Sequence, residues 1–503
     1  MRVTELLVEG LRLRKVKLAF CGPEGVREAL ADALSEAGVR VVKTASAASA
    51  AHMAATVARI TSQPGTWLFG HPSEALQGVA ALHEADQLRA PVLAVHAGYD
   101  VLPDAALDFL RPACRRITQV SKEMGAMQVL TALASLNRTL PGPLLLDLPP
   151  VADTADAGES KADWGLRARR SPPPDVSQAA ELIRDSKRVV VLVGGDDRSV
   201  ATANGVRRLV NAVGAAALQV PASLGAADAT HPLYAGPLSR HPDVYPHQQS
   251  MVAEADLLIA VGLSPEQLPS QWQPPWSPEL PVVSVDRFER PESLPGCVVD
   301  ELVGPLMQAL DDLRITAVGP SPEDDPDACL TDSAWSAPQF VDTRQRWLHA
   351  LARHADPLIA LTRAALSATA PDTRAFVDLP AGPALVHVVR ADAPERVISV
   401  FAPGRAIASA TASRLAEPKV PVLVVIAAQR IAAALGDLDY ASRQDLVVVA
   451  LDTDRAALDP DKTIESANAA CGFTEGPRTL SQAVEAAQKT GGLHLIHAKV
   501  APK

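Results

Sequence analysis

The chain has 503 residues, of which 48% are hydrophobic and only 4% aromatic, and its formal net charge is −11. At roughly 150 residues per domain this length predicts about three domains, with ample apolar material for aliphatic cores. The acidic balance excludes a nucleic-acid surface, which needs clustered Lys and Arg.

The opening residues Met1 to Phe20 lack the apolar core and small-residue cleavage site of a secretory leader. No apolar run approaches the ~18 residues needed to cross a bilayer. Cys21, Cys114, Cys297, Cys329 and Cys471 are scattered, with no CxxC or Cys/His spacing. Such usage predicts no zinc site and suits a reducing, cytoplasmic compartment.

Residues 1 to about 150 alternate strand-like and helix-like segments. Strands are expected at Val16–Phe20, Val39–Val42, Thr66–Phe69, Pro91–His96 and within Pro141–Pro149, with helices at Val26–Ala37, Ser46–Arg59, Ala75–Ala85 and Leu130–Asn137. Alternation of this kind implies a parallel sheet covered on both faces. Residues 150–175 are polar, end in consecutive prolines and read as a linker. The basic run Arg167–Arg170 within it reads as solvated linker.

A second unit follows, with strands at Arg188–Val193, Leu257–Val261 and Val282–Val285 and a helix at Val200–Val213. Residues 317–338 are acidic and proline-containing, a second linker. The third unit has strands at Arg374–Asp378, Val397–Phe401, Val422–Ile426, Asp445–Leu451 and Leu493–Lys499. The predicted fold class is α/β, with three doubly wound, mostly parallel domains over residues 1–172, 173–325 and 336–503.

The stretch from Val420 to Asp454 is the most informative. It reads strand, helix, strand, yet the turn after its first strand is Ala427-Ala428-Gln429, with neither glycine nor carboxylate. The scaffold of a phosphate site is there without its usual chemistry.

Three such units in this order resemble the thiamine-diphosphate-dependent decarboxylase and carboligase superfamily, which includes acetolactate synthase, pyruvate oxidase and benzoylformate decarboxylase. Phe20–Gly25 is similar to the family's FGxPG turn, Ala50–Arg59 to its AAxM helix and Pro141–Pro149 to GPVxLDIP. In the middle unit Val193–Gly195, His231–Gly236 and Ala255–Gly262 follow the family pattern, and Ala406–Pro418 and Thr479–Val500 do so in the third. The resemblance covers almost the whole chain.

What the resemblance implies for cofactor chemistry is not met position by position. The family's activating glutamate, which hydrogen-bonds the aminopyrimidine, falls at Ala47, and alanine neither accepts nor transfers a proton. The GPGxxN loop becomes Pro72–Gln77, with Gln77 in place of the asparagine. The metal-binding GDG positions become Ala427, Ala428 and Gln429. The NN positions fall at Asp452-Thr453 or Thr453-Asp454, a poor set for a metal that wants several oxygen ligands. The apolar residue that props the bent cofactor falls at Pro403, beside a retained Gly404, and the segment Asp454–Ala467 is short.

These departures lead to the expectation of an acetolactate-synthase-like homologue that has lost autonomous thiamine-diphosphate catalysis and acts as a structural or regulatory subunit. The alternative is one half of a hetero-oligomeric carboligase or decarboxylase of 2-oxo acids, with an intact partner holding the cofactor. On this view the isolated chain holds no cofactor and no metal. Thiamine diphosphate and Mg²⁺ come only with a partner, and FAD or ADP in the middle domain is not expected. The small-residue helices Ser46–Arg59 and Ala406–Ala416 suit close approach of a partner, so a homo-oligomer, or a hetero-oligomer with an active paralogue, is expected. No nucleic-acid or membrane partner is.

Other groupings have plainer readings beside their functional ones. Gly194-Gly195-Asp196-Asp197 is a strand-to-helix turn rather than a nucleotide turn, lacking GxGxxG spacing. His241, Tyr245 and His247 lie in a proline-rich loop. Ser46, Ser49, His52 and Glu74 border the same cleft and could form a Ser–His–Glu set, although packing on one helix face also accounts for Ser49 and His52.

Overall fold

A computed structural model of the chain describes residues 1–499 apart from 62, 139–140, 158–171, 270–271, 273–275, 290–293, 295, 320–332, 354–356, 380–390, 392, 401 and 453–469. It contains three six-stranded sheets, and every strand pairing described is parallel. Both expected linkers fall largely outside the described residues.

The first sheet comprises β1 (Leu18–Cys21), β2 (Arg40–Lys43), β3 (Gly65–Phe69), β4 (Val92–His96), β5 (Arg116–Gln119) and β6 (Leu144–Asp147), in the order β2-β1-β3-β4-β6-β5. Its four inner strands are buried at every residue. This is why they read as unbroken apolar runs: a strand covered by helices on both faces has no solvent side. The outer strands β2 and β5 each bury only one residue fully.

The second sheet comprises β7 (Val189–Val193), β8 (Ala216–Gln219), β9 (Tyr234–Pro237), β10 (Leu257–Val261), β11 (Pro281–Asp286) and β12 (Cys297–Val303), ordered β12-β11-β10-β7-β8-β9. That is the dinucleotide-fold order, with its switch point between β7 and β10. The third comprises β13 (Arg374–Asp378), β14 (Val397–Ser399), β15 (Val422–Ala427), β16 (Leu446–Asp452), β17 (Ala470–Glu475) and β18 (Leu493–Lys499), ordered β14-β13-β15-β16-β18-β17. Counted from its own first strand, this repeats the order of the first sheet.

The chain divides into two compact units. One joins the first and third sheets (residues 1–169, 364–380 and 399–503), and the other holds the middle sheet (170–363 and 381–398). Within the first unit, the helix Ala47–Thr61 and the helix Ala406–Ala416 meet. Ala47, Ala50, Ala51 and Ala54 share one buried cluster with Ala408 and Ala412. Small side chains let two helix backbones approach closely, and these faces, expected to receive a partner chain, are instead packed on each other within one chain. Arg405 reinforces the seam: its guanidinium donates to Ser49 Oγ at 3.0 Å and lies 3.6 Å from the Asp437 carboxylate.

The seam has little spare volume. Ala408→Leu should therefore overpack it and destabilise the protein by about 1–3 kcal/mol. Ala432→Leu, at an exposed position, should leave stability unchanged. Urea denaturation followed by tryptophan fluorescence checks both.

Candidate functional site

Ligands of open parallel sheets gather beyond the carboxyl ends of the strands. At that edge of the first sheet, β1 runs into Gly22 and β3 into Gly70, with Ala47 at the start of its helix nearby. Glu74 is the third residue of the helix Pro72–Gln87, which has proline in its first turn. Its Oε2 accepts from the backbone N–H of Gly70 at 2.9 Å and of His71 at 3.3 Å, a reciprocal cap of the helix start. The residue is 2% exposed, and its other oxygen, Oε1, is buried and meets no donor among the described residues. A Cβ built on Gly22 would lie 2.1 Å from that oxygen and 3.2 Å from the Cβ of Ala47. Glu74 Oε1 thus rests against the Gly22 backbone, beside the position that lacks the family's glutamate. An unmet buried acceptor costs about 1–3 kcal/mol, so a side chain held this way marks either strain or a missing donor.

The serine and histidine candidates do not form a relay. Ser49 Oγ lies 2.9 Å from Ser46 Oγ and receives Arg405. His52 is buried with Nδ1 3.8 Å from Glu84 Oε2, so its carboxylate neighbour is Glu84 and not Glu74. Burial, and then the Arg405 charge, push its pKa down to about 3.

At the corresponding edge of the third sheet, Asp378 ends β13 fully buried. Its carboxylate accepts from Gly404 N–H at 2.6 Å and pairs with Arg430. Burial raises the Asp378 pKa, against the lowering influence of Arg430. Gly404 is left-handed, with φ +78°, and a Cβ there would come 2.9 Å from the Cβ of Ala433. Pro403 beside it is exposed. Ala427 and Ala428 are buried and Gln429 is exposed, so this turn presents no carboxylate. Asp452 ends β16 buried, with Oδ2 3.3 Å from His497 Nε2. Burial lowers the His497 pKa, and Asp452 opposes the shift. Gln77 is exposed on its helix. Thr453, Asp454 and the segment to Ala467 lie outside the described residues. Among the described residues no group of three or more His, Cys, Asp or Glu could hold a metal ion.

In the middle sheet a Cβ at Gly194 would lie 2.0 Å from the Gly262 carbonyl oxygen, so this glycine serves close packing of the β7 and β10 turns. Asp197 accepts from Ser199 N–H at 2.9 Å and Thr202 Oγ1 at 3.1 Å, while Asp196 accepts from Ser264 Oγ and Gln267 Nε2. Two carboxylates therefore stand where a dinucleotide fold receives its phosphates, and like charges repel there. Tyr245 packs edge-on against Trp272. Tyr245 and His247 belong to the helix Tyr245–Glu254 rather than to a loop, and in the turn before it Asp243 Oδ2 lies 3.7 Å from His241 Nδ1.

Parallel sheets of this order define a doubly wound α/β protein. Residues 1–101 match the family described as the thiamine pyrophosphate enzyme N-terminal TPP binding domain, and residues 176–293 match the thiamine pyrophosphate enzyme central domain. The chain belongs to the thiamine-pyrophosphate-dependent enzyme superfamily. It is 26% identical over 288 residues to a 2-hydroxyacyl-CoA lyase of Oryza sativa subsp. japonica, covering 52% of this chain and 48% of that protein. It is 25% identical over 279 residues to the probable acetolactate synthase large subunit of Methanocaldococcus jannaschii, covering 52% and 47%. The chain thus spans about half the length of the curated relatives it matches. An X-ray structure assigned as a thiamin diphosphate-dependent enzyme from Mycobacterium smegmatis shares the fold over 100% of both chains, with a TM-score of 0.76 at 18% identity.

These matches correct the expectation that the isolated chain holds no cofactor: its own N-terminal domain is of the TPP-binding kind. That expectation judged each position by its place in a linear motif. Folding brings Glu74 from a different motif to the side of Ala47. The capping pattern at Pro72–Glu74 signals a helix start in the sequence, but not where the second carboxyl oxygen points. No helix among the described residues is long and apolar enough to cross a membrane.

His52 gives a pH prediction. Its folded pKa lies below the ordinary value of 6.5, so below that pH the unfolded chain binds a proton that the folded chain refuses. Stability should fall as pH drops from 6.5 towards 3, by up to about 1.4 kcal/mol per pH unit from this group. His52→Asn should flatten that slope, as read from urea midpoints at pH 7 and pH 5.

Proposed function

We propose that the chain is a thiamine-diphosphate-binding enzyme of the carbon–carbon lyase and carboligase class, acting on 2-oxo acids. The observation that carries this reading is the coincidence of the TPP-binding-domain match at residues 1–101 with a glycine-lined strand edge holding an unmet carboxyl oxygen. The names of the two curated relatives support it, since a 2-hydroxyacyl-CoA lyase and an acetolactate synthase respectively break and form carbon–carbon bonds.

Gly22 and Gly70 keep the strand ends small, Gly22 against Glu74 and Ala47 and Gly70 against the Gly25 carbonyl. Gly404 and Arg430 line the corresponding edge of the third sheet, where the Arg430 guanidinium, already paired with Asp378, would hold an anionic tail. When bound, thiamine diphosphate supplies a nucleophilic carbon and an electron sink for bonds next to a carbonyl. The chain supplies position and a dry environment. We place it in the cytoplasm, as an oligomer of itself or with a paralogue.

A second reading is a structural or regulatory subunit beside an active paralogue. It is favoured by Ala427-Ala428-Gln429, which offers a divalent metal no carboxylate. Purification from the native host separates the two by showing which chain co-elutes.

Calorimetric titration of the full chain with thiamine diphosphate and Mg²⁺ tests the first reading. A saturable, micromolar interaction is expected, together with consumption of at least one member of a panel of 2-oxo acids. No heat up to millimolar cofactor would overturn it.

A further inference from the structure

Within the middle unit, a cavity of about 220 Å³ is lined by residues of the helices Tyr245–Glu254 and Ala337–Arg353. It lies at the amino ends of strands: Arg188 precedes β7, Tyr234 begins β9 and Glu254 comes shortly before β10. The dinucleotide crevice of such a sheet lies at the opposite, carboxyl ends, so this cavity is a separate place. Its walls are aromatic in a chain with only 4% aromatic residues: Trp335, Phe340, Trp347 and Tyr234 line it, with Met251. Phe340 meets Trp335 edge-on at 5.4 Å, and Trp335 Nε1 donates to the Val189 carbonyl at 2.8 Å, which fixes that ring. Gln248 is spent on the wall itself, donating to the Ala235 and Pro237 carbonyls at 2.9 Å and accepting from the Ser239 N–H at 3.0 Å. A fixed, largely apolar concavity with a few polar groups is the usual form of a small-molecule site.

The charge of the cavity selects the ligand. In a chain of net charge −11, its lining carries Arg188 and Arg344 against Glu254 alone. Arg344 is directed at the Ala229 and Tyr234 carbonyl oxygens, each at 3.4 Å. Arg188 is exposed, its backbone N–H goes to Asp256 at 2.9 Å, and its guanidinium has no partner among the described residues. A planar guanidinium matches a carboxylate through two parallel hydrogen bonds. Benzene fits a cavity of about 150 Å³, so the larger space here takes one ring with a short acidic arm. We propose that the cavity binds a small aromatic carboxylic acid, with its ring among Trp335, Phe340 and Trp347 and its carboxylate on Arg188. The site involves no thiamine diphosphate and stands independently of that reading.

The test titrates the full chain, without cofactor, with phenylacetate, and reads calorimetry and tryptophan fluorescence. Saturable binding with a dissociation constant below about 1 mM is expected for a ligand of this size, with a change in tryptophan emission because two tryptophans line the cavity. Acetate and 2-phenylethanol each keep one half of the ligand and should bind about tenfold or more weakly. Arg188→Gln, at an exposed position, should weaken phenylacetate about tenfold or more and leave 2-phenylethanol unchanged. Ser250→Trp fills the cavity from an exposed position on its lining and should abolish binding of both. Circular dichroism of the two variants checks that they fold. Absence of phenylacetate binding at millimolar concentration would make the cavity a packing gap and overturn the proposal. Undiminished binding by either variant would place the ligand elsewhere and overturn it too. Phenylethylamine binding as tightly as phenylacetate would put the ligand's charge on Glu254, with the same result.

Discussion

The alanine seam between the helices Ala47–Thr61 and Ala406–Ala416 is the contact on which the rest of the unit depends. It joins the first and third sheets into one compact body although more than 300 residues separate the two helices in sequence. Side chains no larger than methyl bring the helix backbones close, and Arg405 bonds Ser49 on one helix and faces Asp437 on the helix Leu435–Ala441. Burial raises the Asp437 pKa against the pull of Ser49 and Arg405, so this carboxyl is held in the seam at a cost that its partners only partly offset. Because Ala47 begins one of these helices, the packing that joins the sheets also fixes one wall of the candidate site.

The same economy of size explains the site. Gly22, Ala47 and Gly70 are small where the strand ends meet, and the one long polar side chain among them arrives from the next helix. The cap made by Glu74 Oε2 settles the direction of the carboxyl group, so a local rule of helix termini sets where its second oxygen rests. The third-sheet edge is built differently. Asp378 is spent on holding Gly404 and Arg430, and Asp452 faces His497. The two sheets share a strand order but not the chemistry of their edges.

Most of the architecture was legible in the sequence because inner strands of parallel sheets are continuous apolar runs. Leu257–Val261, Arg374–Asp378 and Leu493–Lys499 matched the expected limits, and the others shifted by a few residues. The strands that escaped notice were mainly outer ones: β5, β9, β12 and β17 lie at sheet edges, where one side needs no apolar cover and the pattern weakens. β8 is internal, but its alanines carry little strand preference. The site was legible only in part. Ala47 and Ala427–Gln429 could be read as departures from a pattern, and the family match then overturned the inference that the cofactor was lost. Linear motifs record which residue stands at a position, whereas hydrogen bonding depends on which atoms share a space.

The most direct measurement is an experimental structure of the full chain with thiamine diphosphate bound. The account predicts the cofactor at the carboxyl ends of the strands of the first and third sheets. A chain that takes up no cofactor at millimolar concentration, or holds it elsewhere, would contradict it.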